Sequence, residues 1–312
     1  MERPFAITLA PDSGLANKTG PWRTQKPQYV HRLPPCNNAC PAGENVQEWL
    51  YAAEEGRYED AWREIHRAFL EYAVLVFRDQ ALEPADLMRV GARFGEPCFY
   101  PFVTGMDGYP YIFEVVKAEN EGTNFGGNWH SDTTYLEQPP LATLLYAVET
   151  PSRGGDTLFT STRAAYDALS EGMRRLVDGL VGVNSAGLKH GGGRSAMHNK
   201  IGGMKVRDTD AADQYEAEHP VARTHPETGR RALYVSRSHT IRFKDMSEDE
   251  SRPLIEWLQA HQTRPEFTCR VRWAPGTLTI WDNRCTQHNA INDYHGQRRR
   301  MRRLTVGAQT PR

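Results

Sequence analysis

Short apolar runs, rich in β-branched residues and separated by turn residues, recur along most of this chain and constrain its fold more than any other feature. Runs of this length and composition are typical of β-strands. The predicted strands are residues 73–77, 111–116, 141–149, 221–225, 233–235, 269–273, 277–281 and 304–306. The predicted helices, with apolar residues at three- and four-residue steps, are 44–51, 58–72, 84–94, 164–180 and 248–262. This arrangement predicts a mainly β fold with flanking helices, of the sandwich or jelly-roll type.

The chain has 312 residues, a net charge of −1, and 39% hydrophobic and 25% charged residues. This globular balance predicts no broad attraction to nucleic acid or to an anionic membrane. No apolar run approaches the roughly 18 residues of a membrane span, and the first residues lack the apolar core of a signal peptide.

The five cysteines are Cys36, Cys40, Cys98, Cys269 and Cys285. Their odd number and sparse spacing favour free thiols, so we expect a cytoplasmic protein.

The chain divides into an N-terminal segment and one larger domain. Residues 1–35 are rich in proline, glycine and polar residues and predict an extended arm, which short helices follow up to residue 62. Residues 63–312 fit one β domain, because such domains often run to about 200–250 residues. Residues 187–218 contain glycine runs and many charges, so we predict a surface insertion there of the kind that serves as a lid.

The sharpest chemical feature is His130-Ser131-Asp132. On a strand, the first and third side chains would share one face, because side chains alternate with a period of two. An imidazole and a carboxylate on one face can occupy adjacent positions around a metal ion, and a distant second histidine would complete a 2-His-1-carboxylate triad. Such a triad suits Fe(II), because it leaves coordination positions open for a chelating cosubstrate and O2. The same spacing also fits a surface pair at the end of a strand.

His288 is the candidate for the third ligand, because it follows a predicted strand and a short polar run. The chain has eleven histidines, and spacing alone does not choose among them. The rivals, for which a surface position or a hydrogen-bonded core position is the alternative, are His190, His198, His219, His225, His239 and His295.

Five arginines surround Met301 between residues 298 and 303 and lead into an apolar strand. A solvated basic face is the ordinary interpretation of such a run. On a continuous strand, however, Arg299, Met301 and Arg303 would point to one face, and an inward guanidinium is costly unless it meets an anion. Two inward arginines could each bind a carboxylate or a sulfonate in the bidentate geometry that arginine favours.

Four motifs together resemble the family of taurine dioxygenase and 2,4-dichlorophenoxyacetate dioxygenase. They are Asn128-Trp129-His130-Ser131-Asp132, Gly154-Gly155-Asp156-Thr157-Leu158, Trp281-Asp282-Asn283-Arg284 through His288, and the arginine run. Their order and spacing agree over about residues 64–307. Members of that family are 2-oxoglutarate-dependent Fe(II) enzymes on a double-stranded β-helix. The resemblance therefore implies this jelly-roll fold, with Fe(II) as cofactor and with 2-oxoglutarate and O2 as cosubstrates.

The resemblance also assigns roles residue by residue. The positions that match the family's iron ligands are His130, Asp132 and His288. Thr157 and Arg299 match the residues that bind 2-oxoglutarate, and Arg303 matches the arginine that holds the sulfonate of taurine.

The residues that touch taurine in that family are mostly replaced here. Tyr100 and Val103 stand where the family has a histidine and a tyrosine, and Gly126 stands where it has an asparagine. A pocket with fewer polar groups predicts an acid with a larger or more apolar body, whose anion would lie on Arg303.

The N-terminal segment resembles a different family. Residues 20–62, with Cys36 and Cys40, are similar to the start of the iron–sulfur domain of glutamate synthase small-subunit-like oxidoreductases. A cluster needs about four thiolates, and only these two are near. We therefore expect a remnant that packs on the larger domain rather than a cluster.

The sequence thus predicts an enzyme that hydroxylates a sulfonate, an alkyl sulfate or an aryloxy or carboxylic acid and releases succinate and CO2. The alternative is a catalytically silent, metal-binding jelly roll that acts as a binding module. Retention of Thr157 and Arg299 favours the enzyme, because a silent relative does not need the cosubstrate groups. The expected partner is a small acidic molecule, with no nucleic acid and no membrane, and a homo-oligomer is left open.

Overall fold

The computed structural model describes residues 46–187 and 215–312. The helices are α1 (Val46–Glu54), α2 (Tyr58–Tyr72), α3 (Pro84–Ala92), α4 (Thr162–Asp167), α5 (Glu171–Asp178) and α6 (Glu248–Gln262), followed by a 3-10 turn at Pro265–Phe267. The strands are β1 (Val74–Phe77), β2 (Pro97–Cys98), β3 (Phe113–Lys117), β4 (Pro140–Glu149), β5 (Thr157–Ser161), β6 (Val181–Ser185), β7 (Glu216–Pro220), β8 (Ala222–Thr224), β9 (Arg231–Leu233), β10 (Thr240–Phe243), β11 (Thr268–Val271), β12 (Leu278–Asp282), β13 (Thr286–Ala290) and β14 (Arg299–Ala308). None of the described helices is long and apolar enough to cross a membrane.

One six-stranded sheet and three smaller sheets make up the described part of the chain. The large sheet has the order β1-β12-β4-β14-β2, and β3 pairs with β14 beside β2. The smaller sheets are β10-β6-β7, β11-β5-β13 and β8-β9. The prediction of a mainly β fold with flanking helices is confirmed.

Apolar cores lie on both faces of the large sheet, because neighbouring residues of its strands point to opposite sides. Leu145 of β4 and Met301 of β14 belong to the core that contains Phe159 of β5. Leu144 belongs to the other core, which contains Phe69 of α2. The large sheet is therefore packed between helices and a smaller sheet, and the candidate site lies on the side of the smaller sheet.

The predicted helix over residues 164–180 is in fact two helices, α4 and α5. The hydroxyl of Ser170 accepts a hydrogen bond from the backbone N–H of Met173 at 3.3 Å, so Ser170 caps a new helix. By contrast, α6 has the predicted bounds, because Ser247 and Glu250 form a capping box at its start.

Six strands were not predicted: β2, β5, β6, β7, β10 and β13. Their buried residues include Thr157, Asn184, Thr240 and His288. Inward polar residues hide the alternation of apolar and polar residues on which strand prediction rests.

Several predicted boundaries fall at or beyond the edge of the described ranges. Residues 1–45, with Cys36 and Cys40, lie outside them, as do residues 188–214 of the predicted insertion. The last residues of that insertion belong to β7, which starts at Glu216. Helix α2 runs across the predicted boundary between residues 62 and 63.

Candidate active site

His130 and Asp132 do not lie on a regular strand, so the predicted strand alternation is wrong here. His130 forms an isolated bridge with His288 through backbone hydrogen bonds of 3.1 and 2.9 Å. Asp132 then enters a turn, in which Thr133 has a left-handed φ of 45°. Such a conformation is rare for a β-branched residue and is typical of a tightly held functional segment. The bridge and the turn, rather than strand pleating, bring the candidate ligands together.

The three candidate ligands converge on one point. The Asp132 Oδ1 lies 3.6 Å from the Nε2 of His130 and 3.8 Å from the Nε2 of His288. Two donors that each lie about 2.1 Å from one ion at a right angle are about 3 Å apart, so this spacing suits a shared metal. The three ligand atoms all lie within 4.8 Å of one another, and the group is buried.

The histidine tautomers also suit a metal. The Nδ1 of His130 lies 2.6 Å from the backbone carbonyl of Asn128, which can only accept a hydrogen bond. Nδ1 therefore carries the proton and leaves the lone pair of Nε2 for a metal. Burial, and then His130, hold the pKa of His288 well below its usual value, so His288 is neutral at neutral pH.

Asp132 is a buried carboxylate that remains ionised. Burial alone would raise its pKa, but Arg303, His288, His130 and the Thr143 hydroxyl together hold the pKa well below its usual value. Thr143 donates to Oδ2 at 2.6 Å, whereas the histidines face Oδ1. The two oxygens of Asp132 therefore have different surroundings.

The arginines of β14 alternate as predicted. Arg299, Met301 and Arg303 are buried, which confirms that they face inward. Arg300 lies on the opposite face, where it donates to Glu114 at 2.6 Å. Two guanidiniums therefore reach the interior from one strand.

Arg303 lies directly beside the triad. Its Nη2 is 2.5 Å from Asp132 Oδ1, and its guanidinium lies 5.6 Å from the ring of Phe113 and 5.8 Å from the ring of Phe125. Its Nε has no hydrogen-bond partner among the described residues. Part of this buried cation is paired with Asp132, and the rest has hydrogen-bonding capacity left for an anion.

Arg299 is a second buried cation with unused donors. Its Nε and Nη2 have no hydrogen-bond partner among the described residues, and burial lowers its pKa. The guanidinium lies 5.6 Å from the ring of Trp273, whose indole N–H donates to the Thr157 hydroxyl at 3.0 Å. Trp273 thus joins Thr157 to Arg299, as expected for two residues of one anion site.

The remaining predicted residues border an aromatic wall. Tyr100 packs 5.1 Å from Phe113 and 6.1 Å from Phe125, ring to ring, and Val103 belongs to the same core. Gly126 has a φ of 78°, and a Cβ added there would lie 3.4 Å from Cε1 of His130. The glycine therefore opens space directly beside a candidate ligand.

Three of the four rival histidines that the structure describes lie in other surroundings. His225 lies 2.9 Å from Asp282 and His219 lies 2.9 Å from the Leu136 carbonyl, so both are hydrogen-bonded core residues. His295 is exposed, and His190 and His198 lie outside the described residues. His239, the remaining rival, lies beside the site: its ring is 5.7 Å from that of His130, and its Nδ1 lies 2.9 Å from the Thr134 hydroxyl.

Comparisons with known proteins agree with this geometry. The family described as "Taurine catabolism dioxygenase TauD, TfdA family" matches residues 49–305. An alkylsulfatase of Acinetobacter baylyi is 35% identical over 246 residues, which are 78% of this chain and 76% of that protein. An alpha-ketoglutarate-dependent sulfate ester dioxygenase of Pseudomonas putida is 37% identical over 252 residues, 79% and 81% of the two chains. The crystal structure of AAD-2 with Mn(II) and N-oxalylglycine matches with a TM-score of 0.65 and 31% identity, over 80% of this chain and 88% of that one.

Proposed function

Because this chain belongs to the TauD/TfdA family of dioxygenases, we propose that it hydroxylates an alkyl sulfate at the carbon that carries the ester oxygen. Membership confirms the predicted jelly-roll fold and the predicted class, an oxidoreductase that depends on Fe(II), 2-oxoglutarate and O2. Two relatives described above act on sulfate esters by name, which favours an alkyl sulfate over the other acids.

We assign the iron to His130, Asp132 and His288. The observation that supports this assignment is the convergence of two imidazoles and one ionised carboxylate on a buried point. Iron bound there would supply O2 activation coupled to the oxidative decarboxylation of 2-oxoglutarate. The protein holds the donor atoms in place and keeps bulk water from the reacting carbon.

We assign 2-oxoglutarate to the pocket beside Trp273. The buried Arg299 has two unused donor nitrogens, which suit the distal carboxylate, and the Thr157 hydroxyl lies on the other side of the indole. A buried guanidinium with unused donors is stabilised when a ligand carboxylate binds to them.

The substrate proposal rests mainly on one observation, the buried Arg303 between the triad and an aromatic wall. Its unused donors suit a sulfate, and the rings of Tyr100, Phe113 and Phe125, together with Val103, suit an alkyl body. Gly126 leaves space beside His130 for the carbon that reacts. A charged anchor at one end of an apolar pocket selects an amphiphilic acid.

The proposed reaction balances as follows. One oxygen atom of O2 enters succinate, with loss of CO2, and the other becomes a hydroxyl on the carbon beside the ester oxygen. The resulting hemiacetal-like sulfate then breaks its C–O bond to the sulfate group, which leaves as sulfate with the hydroxyl proton, and an aldehyde remains.

A substrate panel tests the proposal. Hexyl sulfate, taurine and 2,4-dichlorophenoxyacetate would each be incubated with the purified protein, Fe(II), 2-oxoglutarate and O2, and succinate would be measured. We expect hexyl sulfate to have the highest kcat/KM and to release one sulfate per succinate. A higher kcat/KM for taurine or for the aryloxy acid would contradict an alkyl sulfate as the substrate.

We also propose a cytoplasmic location and a small-molecule acid as the partner. The described cysteines, Cys98, Cys269 and Cys285, form no disulfide with one another, which is consistent with a reducing compartment. A homo-oligomer stays a prediction, which light scattering of the purified protein would test.

A further inference from the structure

A chain of buried hydrogen bonds begins at the Asp132 oxygen that faces away from the histidines. The Thr143 hydroxyl donates to Asp132 Oδ2 at 2.6 Å, and the Asn283 side-chain amide donates to that hydroxyl at 2.8 Å. The indole N–H of Trp281 donates to the Asn283 carbonyl oxygen at 2.9 Å. We infer that Thr143 and Asn283 are positioning residues: Asn283 orients the Thr143 hydroxyl, which holds Oδ2 and so keeps Oδ1, the oxygen that faces both histidines, directed at iron.

The direction of every hydrogen bond in this chain follows from chemistry. An indole nitrogen can only donate, so the Asn283 oxygen faces Trp281 and the Asn283 nitrogen faces Thr143. The Thr143 oxygen therefore accepts from Asn283, and its single hydrogen is left for Asp132. A carboxylate that accepts a hydrogen bond on one oxygen has a fixed rotation about its side-chain axis.

The same row of hydrogen bonds connects two of the candidate ligands, Asp132 and His288. The ring of Trp281 lies 4.8 Å from the ring of His288, and Trp281 is 1% exposed. The backbone N–H of Asn283 donates to the Leu141 carbonyl of β4 at 2.9 Å, which ties the β12–β13 turn to the strand that carries Thr143. Asp132 and His288 are thus held against one rigid support.

This inference rests on the proposed iron site. Residues that hold a ligand in place typically change metal affinity about 10- to 100-fold when they are removed. Thr143 is completely buried, so its hydroxyl has no water to replace its partners. Without that hydroxyl, Asp132 Oδ2 would have no donor among the described residues, and the carboxylate could rotate or bind iron through both oxygens.

The first test compares Co(II) binding by metal-free variants, a measurement that does not depend on turnover. Thr143→Val keeps the shape of the side chain but removes the hydroxyl, whereas Thr143→Ser keeps the hydroxyl. We expect Thr143→Val to raise the Co(II) Kd about 10- to 100-fold and Thr143→Ser to raise it less than about threefold. Wild-type affinity in a folded Thr143→Val protein would overturn the inference.

Thr279 provides a matched control. It is a completely buried threonine on the neighbouring strand β12, and its hydroxyl has no hydrogen-bond partner among the described residues. Thr279→Val should leave the Co(II) Kd unchanged. A weakening equal to that of Thr143→Val would assign the effect to loss of a buried hydroxyl in general and would overturn the inference.

A second variant keeps the inference testable if Thr143→Val does not fold. Asn283→Asp replaces the amide donor with an acceptor, which would draw the Thr143 hydrogen away from Asp132. We expect a higher Co(II) Kd in this variant too, and an unchanged Kd would overturn the inference. Asp132→Ala tests the iron assignment separately. If Co(II) bound equally well to the wild type and to Asp132→Ala, the triad would be excluded as the metal site.

Discussion

At the scale of single residues, Asp132 contacts both candidate histidine ligands, Arg303 and Thr143. One of its oxygens faces both histidines and Arg303, and the other accepts from Thr143. Arg303 therefore has two proposed functions: it neutralises Asp132, and its unused donors are available to a substrate anion.

Replacing Arg303 tests its proposed contact with the substrate. Arg303→Ala should lower kcat/KM for hexyl sulfate by about 10- to 100-fold, because a hydrogen bond to a charged group contributes about 1.5–3 kcal/mol. Succinate formed without substrate at saturating Fe(II) should persist, because Arg303 does not belong to the proposed 2-oxoglutarate pocket. Kinetics of succinate release measure both values.

Arg300→Ala is the matched control, since Arg300 lies on the same strand but faces Glu114. Its kcat/KM should match that of the wild type. Unchanged turnover of every acid by Arg303→Ala would remove the proposed anion site.

A substitution at Gly126 tests whether the space beside His130 determines which substrate the protein prefers. Asparagine adopts a positive φ more readily than most residues, so Gly126→Asn should fold while filling the space next to Cε1 of His130. The ratio of kcat/KM for hexyl sulfate over that for taurine should fall. Gly229→Asn is the control, because Gly229 also has a positive φ of 69° and a Cβ there meets nothing within 4 Å. An equal ratio in both variants would contradict a role for Gly126 in selectivity.

At the scale of elements, the turn between β12 and β13 organises the site through buried charge. The Asp282 carboxylate accepts hydrogen bonds from Arg284 at 2.8 Å and from His225 at 2.9 Å. Arg284 also donates a hydrogen bond to Glu227 at 2.6 Å. This network fixes the turn from which β13 carries His288. The residues that were predicted from one motif thus belong to two groups, the metal site and its support.

Asp282→Asn should destabilise the protein by about 3 kcal/mol or more, because it breaks the fully buried ion pair with Arg284 and leaves that guanidinium only the partly exposed Glu227. Urea unfolding of the metal-free protein measures the change. Asp249→Asn, at an exposed carboxylate in the first turn of α6, should change the free energy of unfolding by less than about 1 kcal/mol. Similar losses in the two variants would contradict a structural function for the turn.

His219 on β7 gives a prediction about pH. Burial holds its pKa in the folded protein below the usual value, so the unfolded state takes up a proton first as the pH falls. The stabilising contribution is therefore present above the unfolded pKa of about 6.5 and is lost as the pH falls below it. Between pH 7.5 and pH 5, metal-free wild type should lose more free energy of unfolding than His219→Gln. Equal losses would exclude this contribution.

The sequence predicted some parts of these strands and of the candidate site correctly and others not. The inward face of β14 followed from a period of two, because Arg299 and Arg303 flank the buried Met301. The convergence of His130 and Asp132 was predicted for the wrong reason, since a turn at Thr133 replaces the expected strand. Thr143, Trp273 and His239 carried no local signal, because contacts across 11, 116 and 105 residues appear only in the folded chain.

At the scale of the whole molecule, the candidate site lies between the large sheet and the small sheet of β11, β5 and β13, whose residues share one apolar core. The family match over residues 49–305 includes every residue assigned here to iron, 2-oxoglutarate and substrate. A silent binding module would not need Arg299 to be buried with unused donors, because buried donor groups without a partner are costly unless a ligand binds to them. The whole fold therefore favours catalysis over simple binding.

The most direct test of the iron assignment is the stoichiometry of succinate and sulfate release from 2-oxoglutarate and hexyl sulfate under O2. We expect one succinate per sulfate in the wild type with Fe(II) and neither product in His288→Ala, whereas His295→Ala, at an exposed histidine, should match the wild type. Absence of succinate in the Fe(II)-loaded wild type, or full activity in His288→Ala, would contradict the iron assignment.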